Sequence, residues 1–214
     1  MEDIVISIQN AAVSFRKFKL GPVNIDIPRG YIIGVQGENG AGKSTFLRML
    51  MGRYKDMNER VLLDNKDVRD SREYTYNRIG YISDKRSFYE MEDAFANEAY
   101  YSDFYNVWDG EIYRDMLNRF NVPTATALRK LSKGERVKFQ LAFSAAYKPK
   151  VLLLDEPTAG LDPVFRDDFL KTLQELVALY ETTILLATHL DEDLNKIADY
   201  IIDIENGCCI MREV

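Results

Sequence analysis

A glycine-rich run at residues 37–44 has the residue types and the spacing of a phosphate-binding loop. It reads GENGAGKS and matches the pattern G-x-x-x-x-G-K-[ST]. In such a loop the glycines let the backbone approach an anion closely, and backbone N–H groups surround the phosphate oxygens at the start of a helix. Lys43 is expected to reach the β- and γ-phosphates, and the Ser44 hydroxyl is expected to ligate Mg²⁺. The predicted binding residues are Gly37, Asn39, Gly40, Ala41, Gly42, Lys43, Ser44 and Thr45.

Two adjacent carboxylates follow an apolar run later in the chain. Residues 151–154 read VLLL and lead directly into Asp155 and Glu156. Because open parallel sheets place their chemistry at the carboxyl ends of strands, both side chains are expected near the phosphates. Asp155 is predicted to hold Mg²⁺ directly or through water, and Glu156 is predicted to polarise the attacking water as a general base. The alternative is an acid that only caps a helix ahead of Pro157.

His189 is the one histidine in the sequence, and it closely follows the apolar run at residues 183–187. Most lone histidines have structural roles. This one stands at the end of a predicted sheet strand, where the phosphate site is also expected, and this placement predicts a contact with the γ-phosphate.

The segments around these residues have the patterns of strands that alternate with helices. Residues 4–8 and 23–27 alternate apolar with polar side chains, which predicts an outer layer of antiparallel strands. Nearly continuous apolar runs predict buried strands, and helix-length amphipathic stretches such as 165–180 separate the later ones. These runs lie at residues 31–35, 151–154, 183–187 and 200–204. The pattern predicts an α/β fold in which helices cover a parallel sheet.

The stretch at residues 87–147 differs from the rest, because it is rich in aromatic and charged residues with helical spacing, and Pro123 interrupts it. It is predicted to be an inserted helical subdomain. The whole chain, 1–214, is then expected to be a single domain. Its nucleotide-binding core and β-layer would comprise residues 1–86 and 148–214.

The composition is that of a folded protein with an acidic net charge. The chain has 214 residues, 46% of them hydrophobic, and a net charge of −6, which argues against a nucleic-acid partner. No apolar run approaches the roughly 20 residues that cross a bilayer, and the first residues lack the order of a signal peptide. The protein is therefore expected to be cytoplasmic. The adjacent Cys208 and Cys209 are expected to be reduced and structural.

With these motifs in order, the chain resembles the nucleotide-binding domains of ABC ATPases over essentially its whole length. The run LSKGE at residues 131–135 is similar to the family signature, usually LSGGQ, with matches at Ser132 and Gly134 and departures at Lys133 and Glu135. The resemblance implies a P-loop NTPase core with a parallel sheet, an N-terminal antiparallel β-layer and an inserted helical subdomain. It also implies that the signature helix faces the γ-phosphate held by the opposite subunit of a head-to-tail dimer.

The resemblance assigns roles to two further positions. Asp162, in the run AGLD at residues 159–162, is expected to cross the dimer interface and help shape the opposite site. Capping of the helix that starts at Pro163 is compatible with that role. Phe15 lies close to the position of the aromatic residue that stacks on adenine, with Phe18 three residues later, and core packing is the alternative for either.

One position departs from the family pattern. After a strand similar to residues 79–82 the family usually has glutamine, but this chain has Ser83 and Asp84. Asp84 is the best-matched position and is predicted to bind Mg²⁺ or its waters.

The resemblance implies an ATPase that uses ATP and Mg²⁺. Two ATPase subunits, identical or different, would close on ATP and drive a separate transmembrane permease, so the protein would sit on the inner face of the cell membrane. The runs at 148–150 and 159–163 are similar to those of bacterial exporter ATPases for drugs, peptides or lantibiotics. The aromatic residues at 100–108 are a candidate permease contact, with packing inside the helical subdomain as the alternative.

Two other functions remain open at this point. The chain could be a regulatory ATP-binding half of a heterodimer, or a soluble ABC ATPase that acts on ribosomes or DNA. Loss of turnover on substitution of Glu156 would oppose the first, and the acidic net charge opposes the second.

Overall fold

The computed structural model describes residues 3–54, 58–84, 87–159 and 161–214, except the side chain of Asn58. Within these ranges the strands are β1 (Ile4–Phe15), β2 (Phe18–Pro28), β3 (Ile32–Gln36), β4 (Asn58–Leu63), β5 (Lys66–Asp67), β6 (Ile79–Ile82), β7 (Val151–Asp155), β8 (Thr183–Ala187), β9 (Tyr200–Glu205) and β10 (Cys208–Glu213). The α-helices are α1 (Lys43–Leu50), α2 (Arg72–Tyr76), α3 (Ala94–Tyr101), α4 (Gly110–Arg119), α5 (Lys133–Ala146), α6 (Pro163–Tyr180) and α7 (Asp191–Ile197). The predicted α/β fold is confirmed.

The first sheet is the predicted antiparallel layer, with strand order β2-β1-β4-β5. Its long hairpin pairs Ile4 with Pro28 at one end and Phe15 with Phe18 at the other. The strands are longer than the alternating segments at 4–8 and 23–27, because irregular pairing lets both strands continue beyond them. The tight end of the hairpin brings two aromatic rings together.

The second sheet has the order β10-β9-β3-β8-β7-β6. Five of its strands are parallel, as predicted, and β10 runs antiparallel to β9 at one edge. Because β3, β7 and β8 are adjacent and parallel, their carboxyl ends meet at the same edge of the sheet. Residues that follow these three strands therefore lie close together.

The central strands are apolar on both faces because each face borders a separate core. Leu152 and Leu154 of β7 join a cluster with α4, α5 and α6, whereas Val151 and Leu153 join a second cluster. That second cluster contains α1 and the antiparallel sheet. Side chains along a strand alternate between faces, so a strand buried on both sides needs a continuous apolar run.

Residues 87–147, called the helical segment below, contain α3, α4 and α5. Each helix begins at a side-chain cap, provided by Asp93, Asp109 and Ser132 respectively. Phe143 of α5 contacts several aromatic rings of the segment, and the same buried cluster extends to the central sheet. The predicted boundary at residue 86 lies outside the described residues.

Both cysteines lie on β10, the edge strand of the second sheet. Cys208 is exposed and Cys209 is partly buried on β10, and both are free thiols. Among the helices that the structure describes, none combines the length and the apolar character needed to cross a membrane.

Candidate functional site

The glycine-rich run forms a tight loop between β3 and α1. Gly37, Gly40 and Gly42 all have positive φ angles, of 152°, 85° and 115°. A Cβ at Gly37 would lie 2.5 Å from the Ile204 carbonyl oxygen, and one at Gly42 would lie 2.7 Å from the Phe18 ring. Neither position has room for a side chain, so the loop backbone can face an anion directly.

Lys43, the first residue of α1, folds back over this loop. Its Nζ donates to the carbonyl oxygen of Gly37 at 2.8 Å and lies 3.4 Å from that of Glu38. The side chain is buried, and Nζ also lies 3.7 Å from Oε1 of Glu156. The ammonium group is therefore held at the loop by weak partners that phosphate oxygens could replace. Thr45, two residues later, is partly buried in the same helix turn.

Ser44 and Asp155 form the candidate magnesium site. Ser44 Oγ donates to Asp155 Oδ1 at 2.7 Å, which brings together the start of α1 and the end of β7. Mg²⁺ in nucleotide sites binds one or two protein oxygens and takes most of its remaining ligands from phosphates and water. A hydroxyl and a carboxylate that already converge beside the phosphate loop fit this requirement. Asp84 is exposed, and it is not among the hydrogen-bond partners of these two residues in the described structure.

Tyr81, on β6, is a partner of Asp155 that the sequence analysis missed. Its hydroxyl donates to Asp155 Oδ2 at 2.7 Å, and Arg48 Nη2 lies 3.6 Å from the same oxygen. Burial, followed by the hydrogen bond to Asp155, raises the pKa of Tyr81 to about 12, so the hydroxyl keeps its proton at neutral pH. Only the register of β6 against β7 reveals this contact, since 74 residues separate the two side chains.

Glu156 and His189 lie together at the same sheet edge. Glu156 has a positive φ of 54° and donates its N–H to the Ala187 carbonyl at 2.8 Å, which fixes its backbone next to β8. Its Oε2 is hydrogen-bonded to His189 Nδ1 at 2.7 Å. We refer to Lys43, Ser44, Asp155, Glu156 and His189 as the phosphate edge.

An open cleft of about 1110 Å³ borders the phosphate edge. Gly37, Asn39, Gly40 and Ala41 line it on one side, and His189 lines it as well. The turn between β9 and β10 also contributes to the lining. The cleft is large enough for a nucleotide.

Phe18, rather than Phe15, stands in the wall of this cleft. Phe15 is about half exposed, stacks on Phe18 with ring centroids 6.3 Å apart, and meets Tyr54 edge-on. The two phenylalanines are direct neighbours across the hairpin, and Phe18 is the one that reaches Gly42. The sequence had placed the adenine contact at Phe15. That contact stays a prediction, and of the two rings Phe18 is the one that lines the cleft.

Ser132, Gly134 and Asp162 do not line the cleft of their own chain. Ser132 caps α5 in a reciprocal arrangement with Glu135, which donates its N–H to Ser132 Oγ at 3.2 Å and accepts from Ser132 N at 2.7 Å. The hydrogen bond from the Ser132 backbone lowers the pKa of the Glu135 carboxyl. Asp162 caps α6 by accepting from Phe165 N at 2.9 Å. Gly160 of the AGLD run lies outside the described residues.

A buried polar network behind the phosphate edge also escaped the sequence analysis. Asp193 of α7 is 0% exposed and accepts from Thr158 Oγ1 at 2.7 Å. Its second oxygen is bonded by Arg166 Nε of α6. The network joins the segments that follow Glu156 and His189, and nothing in the spacing of its members distinguishes them from surface charges.

Comparisons with known proteins bear on the family and the fold of the chain. The family model described as "ABC transporter" matches residues 20–159. The uncharacterized ABC transporter ATP-binding protein YdbJ of Bacillus subtilis (strain 168) is 29% identical over 88% of this chain, which spans 62% of that protein's length. The lantibiotic transport ATP-binding protein SrtF of Streptococcus pyogenes is 28% identical, with 98% of this chain and 90% of SrtF covered. A solved structure described as the ATP-binding subunit of an ABC transporter superimposes with a TM-score of 0.87 at 21% identity, covering 98% of this chain and 90% of that one.

Proposed function

The chain belongs to the ABC transporter family, whose members are ATP-binding proteins, and we propose that it binds ATP with Mg²⁺ and hydrolyses the nucleotide to drive transport. The observation that carries this proposal is the convergence at the phosphate edge. A lysine and a hydroxyl at the start of α1, two carboxylates at the end of β7 and an imidazole after β8 meet beside a loop that can hold phosphates. Membership of the family implies ATP hydrolysis, and these groups are suited to it.

Different residues have different proposed roles in phosphoryl transfer. The loop amides and Lys43 would bind and orient the phosphates, with Lys43 exchanging the Gly37 carbonyl for phosphate oxygens. Ser44 and Asp155 would hold Mg²⁺, which neutralises charge on the phosphate oxygens when it is bound.

Glu156 is proposed to accept a proton from the attacking water as the new P–O bond to the γ-phosphorus forms and the bond from that phosphorus to the leaving ADP breaks. Its carboxylate lies between Lys43 and His189. Those two contacts orient it. His189 is proposed to stabilise the γ-phosphate once that phosphate lies in the cleft.

Hydrolysis is proposed to require a second subunit, with two chains arranged head to tail. The support is the position of Ser132, Gly134 and Asp162, which do not line the cleft of their own chain although the resemblance gives them roles at a nucleotide. The start of α5 would approach the γ-phosphate held by the other subunit. Closure of the pair would then complete both sites, and hydrolysis would reopen them.

A separate permease is the proposed target of this movement. We treat residues 87–147 as a helical subdomain within a single domain of residues 1–214 that contacts the permease at the inner face of the membrane. Two sides of this segment differ: Tyr105 and Trp108 pack on Phe143, whereas Tyr100 and Phe104 are 50% and 72% exposed. The exposed rings are candidates for the contact. Similarity to SrtF, named for lantibiotic transport, supports a role in transport, and the proposed direction is export because the runs at 148–150 and 159–163 are similar to those of exporter ATPases.

The test is ATP hydrolysis by the purified chain over a series of protein concentrations, at saturating ATP and Mg²⁺. Specific activity that rises with concentration supports catalysis by two copies. Glu156→Gln should lower turnover roughly 10²- to 10⁴-fold while ATP binding is retained. Unchanged turnover in that variant would remove Glu156 from its proposed role. Binding without hydrolysis at every concentration would favour a heterodimer in which this chain is the regulatory half.

A further inference from the structure

Gln140 is a buried polar residue in an otherwise apolar stretch of α5. The residues beside it, from Phe139 to Phe143, are buried hydrophobic side chains. A hydrocarbon side chain of the same length would fill the space without needing hydrogen-bond partners. A buried amide is stable only where its donor and acceptor are both satisfied.

Both halves of this amide are satisfied by one residue outside the helix. Gln140 Oε1 accepts from Ser83 N at 3.2 Å, and Gln140 Nε2 donates to Ser83 O at 3.0 Å. Gln140 is 4% exposed and Ser83 is 3% exposed, so water does not compete for these bonds. The paired bonds fix both the distance and the rotation of α5 relative to the Ser83 peptide groups.

Ser83 is directly connected to the phosphate edge. It follows β6, and Tyr81, two residues earlier, donates its hydroxyl to Asp155 at 2.7 Å. Asp155 in turn accepts from Ser44 at 2.7 Å. A short path of hydrogen bonds and strand backbone therefore runs from the middle of α5 to the candidate magnesium ligands.

The same helix begins at Ser132, where the signature residues lie. Gln140 is the eighth residue of α5, about two helical turns from that end. Because Gln140 and the helix start belong to one continuous helix of 14 residues, holding Gln140 in place also constrains the direction in which the helix start points.

We propose that Gln140 is a positioning residue, which fixes the start of α5 relative to the phosphate edge and makes the helix move together with the loop after β6. This inference rests on the proposed function, because the position of the helix start matters only if a second subunit's nucleotide meets it. Gln140 does not line the cleft, and its described hydrogen bonds go to Ser83. It acts through Ser83 and through the backbone that links Ser83 to Tyr81.

The test compares Gln140→Met with two control variants. Methionine has a similar length and no strong hydrogen-bonding group, so packing is kept while both bonds to Ser83 are lost. Ser144→Ala removes the other buried polar side chain of α5, and Gln174→Met makes the same chemical change at an exposed site on α6. Neither control alters a bond to Ser83.

For Gln140→Met we expect ATP affinity of the single chain to stay within about twofold, because the phosphate edge is untouched. Self-association with ATP, measured in a Glu156→Gln background, should weaken about tenfold, and kcat should fall by a similar factor with little change in KM. Hydrogen exchange of the Ser83 amide should accelerate in the nucleotide-free protein. Both controls should leave these quantities near those of the unsubstituted chain.

Several outcomes would overturn the proposal. Unchanged self-association and kcat in folded Gln140→Met would do so, and so would an equal loss in Ser144→Ala, which would indicate general packing. If Gln140→Met does not fold, exchange in the unsubstituted protein decides: a non-hydrolysable ATP analogue with Mg²⁺ should change protection of the Ser83 amide and of α5 together. Independent changes would contradict the coupling. Because this exchange needs no hydrolysis, a failure of the ATPase proposal is seen separately, as absent turnover in the unsubstituted chain.

Discussion

The phosphate edge and the helical segment satisfy their polar groups in different ways. At the phosphate edge the partners are far apart in sequence: 111 residues separate Ser44 from Asp155, and 33 separate Glu156 from His189. In the helical segment the caps are local, and the capping bonds of Ser132 and Glu135 span three residues. The phosphate edge exists only when the whole sheet has formed, whereas the helix caps need a single turn of chain.

The two regions also differ in what they leave exposed. The phosphate edge opens onto a cleft lined by loop backbone and polar side chains. The helical segment presents exposed aromatic rings. The ring centroids of Tyr89 and Tyr100 are 5.0 Å apart, and Phe104 is also exposed. We therefore expect nucleotide binding to depend on one chain alone. Closure and transport should depend on surfaces of the helical segment that meet other proteins.

The largest expected effect on ATP binding comes from removing the Lys43 ammonium group of the phosphate edge. In Lys43→Ala the phosphates would face Asp155 and Glu156 without the ammonium group that now lies 3.7 Å from Glu156. We expect ATP to bind about 100-fold more weakly, as measured by equilibrium titration with ATP and Mg²⁺. Lys171→Ala, at an exposed position on α6, is the matched control. Undiminished affinity in Lys43→Ala would show that the loop backbone alone holds the nucleotide.

A smaller effect is expected from Tyr81→Phe, which removes only the hydroxyl that bonds Asp155. Residues that orient a metal ligand typically change metal affinity at least about tenfold, so the Mg²⁺ concentration for half-maximal hydrolysis should rise by about that factor. ATP binding measured without Mg²⁺ should be unaffected. Tyr180→Phe, near the end of α6, is the control. An unchanged Mg²⁺ requirement would mean that Ser44 and Arg48 suffice to orient Asp155.

Lys43 and Tyr81 differ in whether their roles could be predicted from the sequence. The spacing of the glycine-rich run predicts Lys43 and Ser44, because the loop and helix start are contiguous in the chain. The carboxylates after β7 are found in the same way. Tyr81 could not be predicted, since its role depends on the register of β6 beside β7, and that register is a property of the folded sheet.

Other residues also have contacts that depend on how distant parts of the chain pair in the fold. Phe15 and Phe18 are indistinguishable in sequence, and only the hairpin pairing shows which ring reaches the phosphate loop. Asp193 and Gln140 are of polar types that usually lie on the exposed side of a helix, yet each is buried against a distant segment. The overall α/β architecture was predictable because runs of apolar residues encode it locally.

Removing the negative charge at the start of α5 is expected to have a smaller effect than Lys43→Ala or Tyr81→Phe. Glu135→Gln keeps the reciprocal cap, since glutamine can make the same bond to Ser132, but removes the negative charge. The lowered pKa keeps the Glu135 carboxyl ionised at neutral pH. The stabilising effect of this carboxylate on the folded state is present above the ordinary glutamate pKa and is lost as the pH falls through the lowered value. At neutral pH this charge would oppose an approaching γ-phosphate.

We expect Glu135→Gln to strengthen ATP-dependent self-association about threefold in the Glu156→Gln background, with a larger gain at low salt. Analytical ultracentrifugation at two ionic strengths measures this. Glu111→Gln removes an acid from the first turn of α4 and serves as the control. Weaker association in Glu135→Gln would mean that the carboxylate helps closure, for example through a cation on the other subunit.

The smallest effect on the isolated chain is expected from the exposed aromatic rings. Tyr100→Ser combined with Phe104→Ser should leave ATP hydrolysis within about twofold, because neither ring contacts the phosphate edge and surface changes of this kind alter free energies only slightly. Binding to vesicles that contain the transporter's permease should nevertheless fall sharply, since exposed aromatic side chains commonly dominate such contacts. Leu179→Ser, equally exposed at 71% on α6, should change neither property. If the aromatic variant still binds the vesicles normally, the permease contact lies elsewhere and the exposed rings belong to the surface of the helical segment alone.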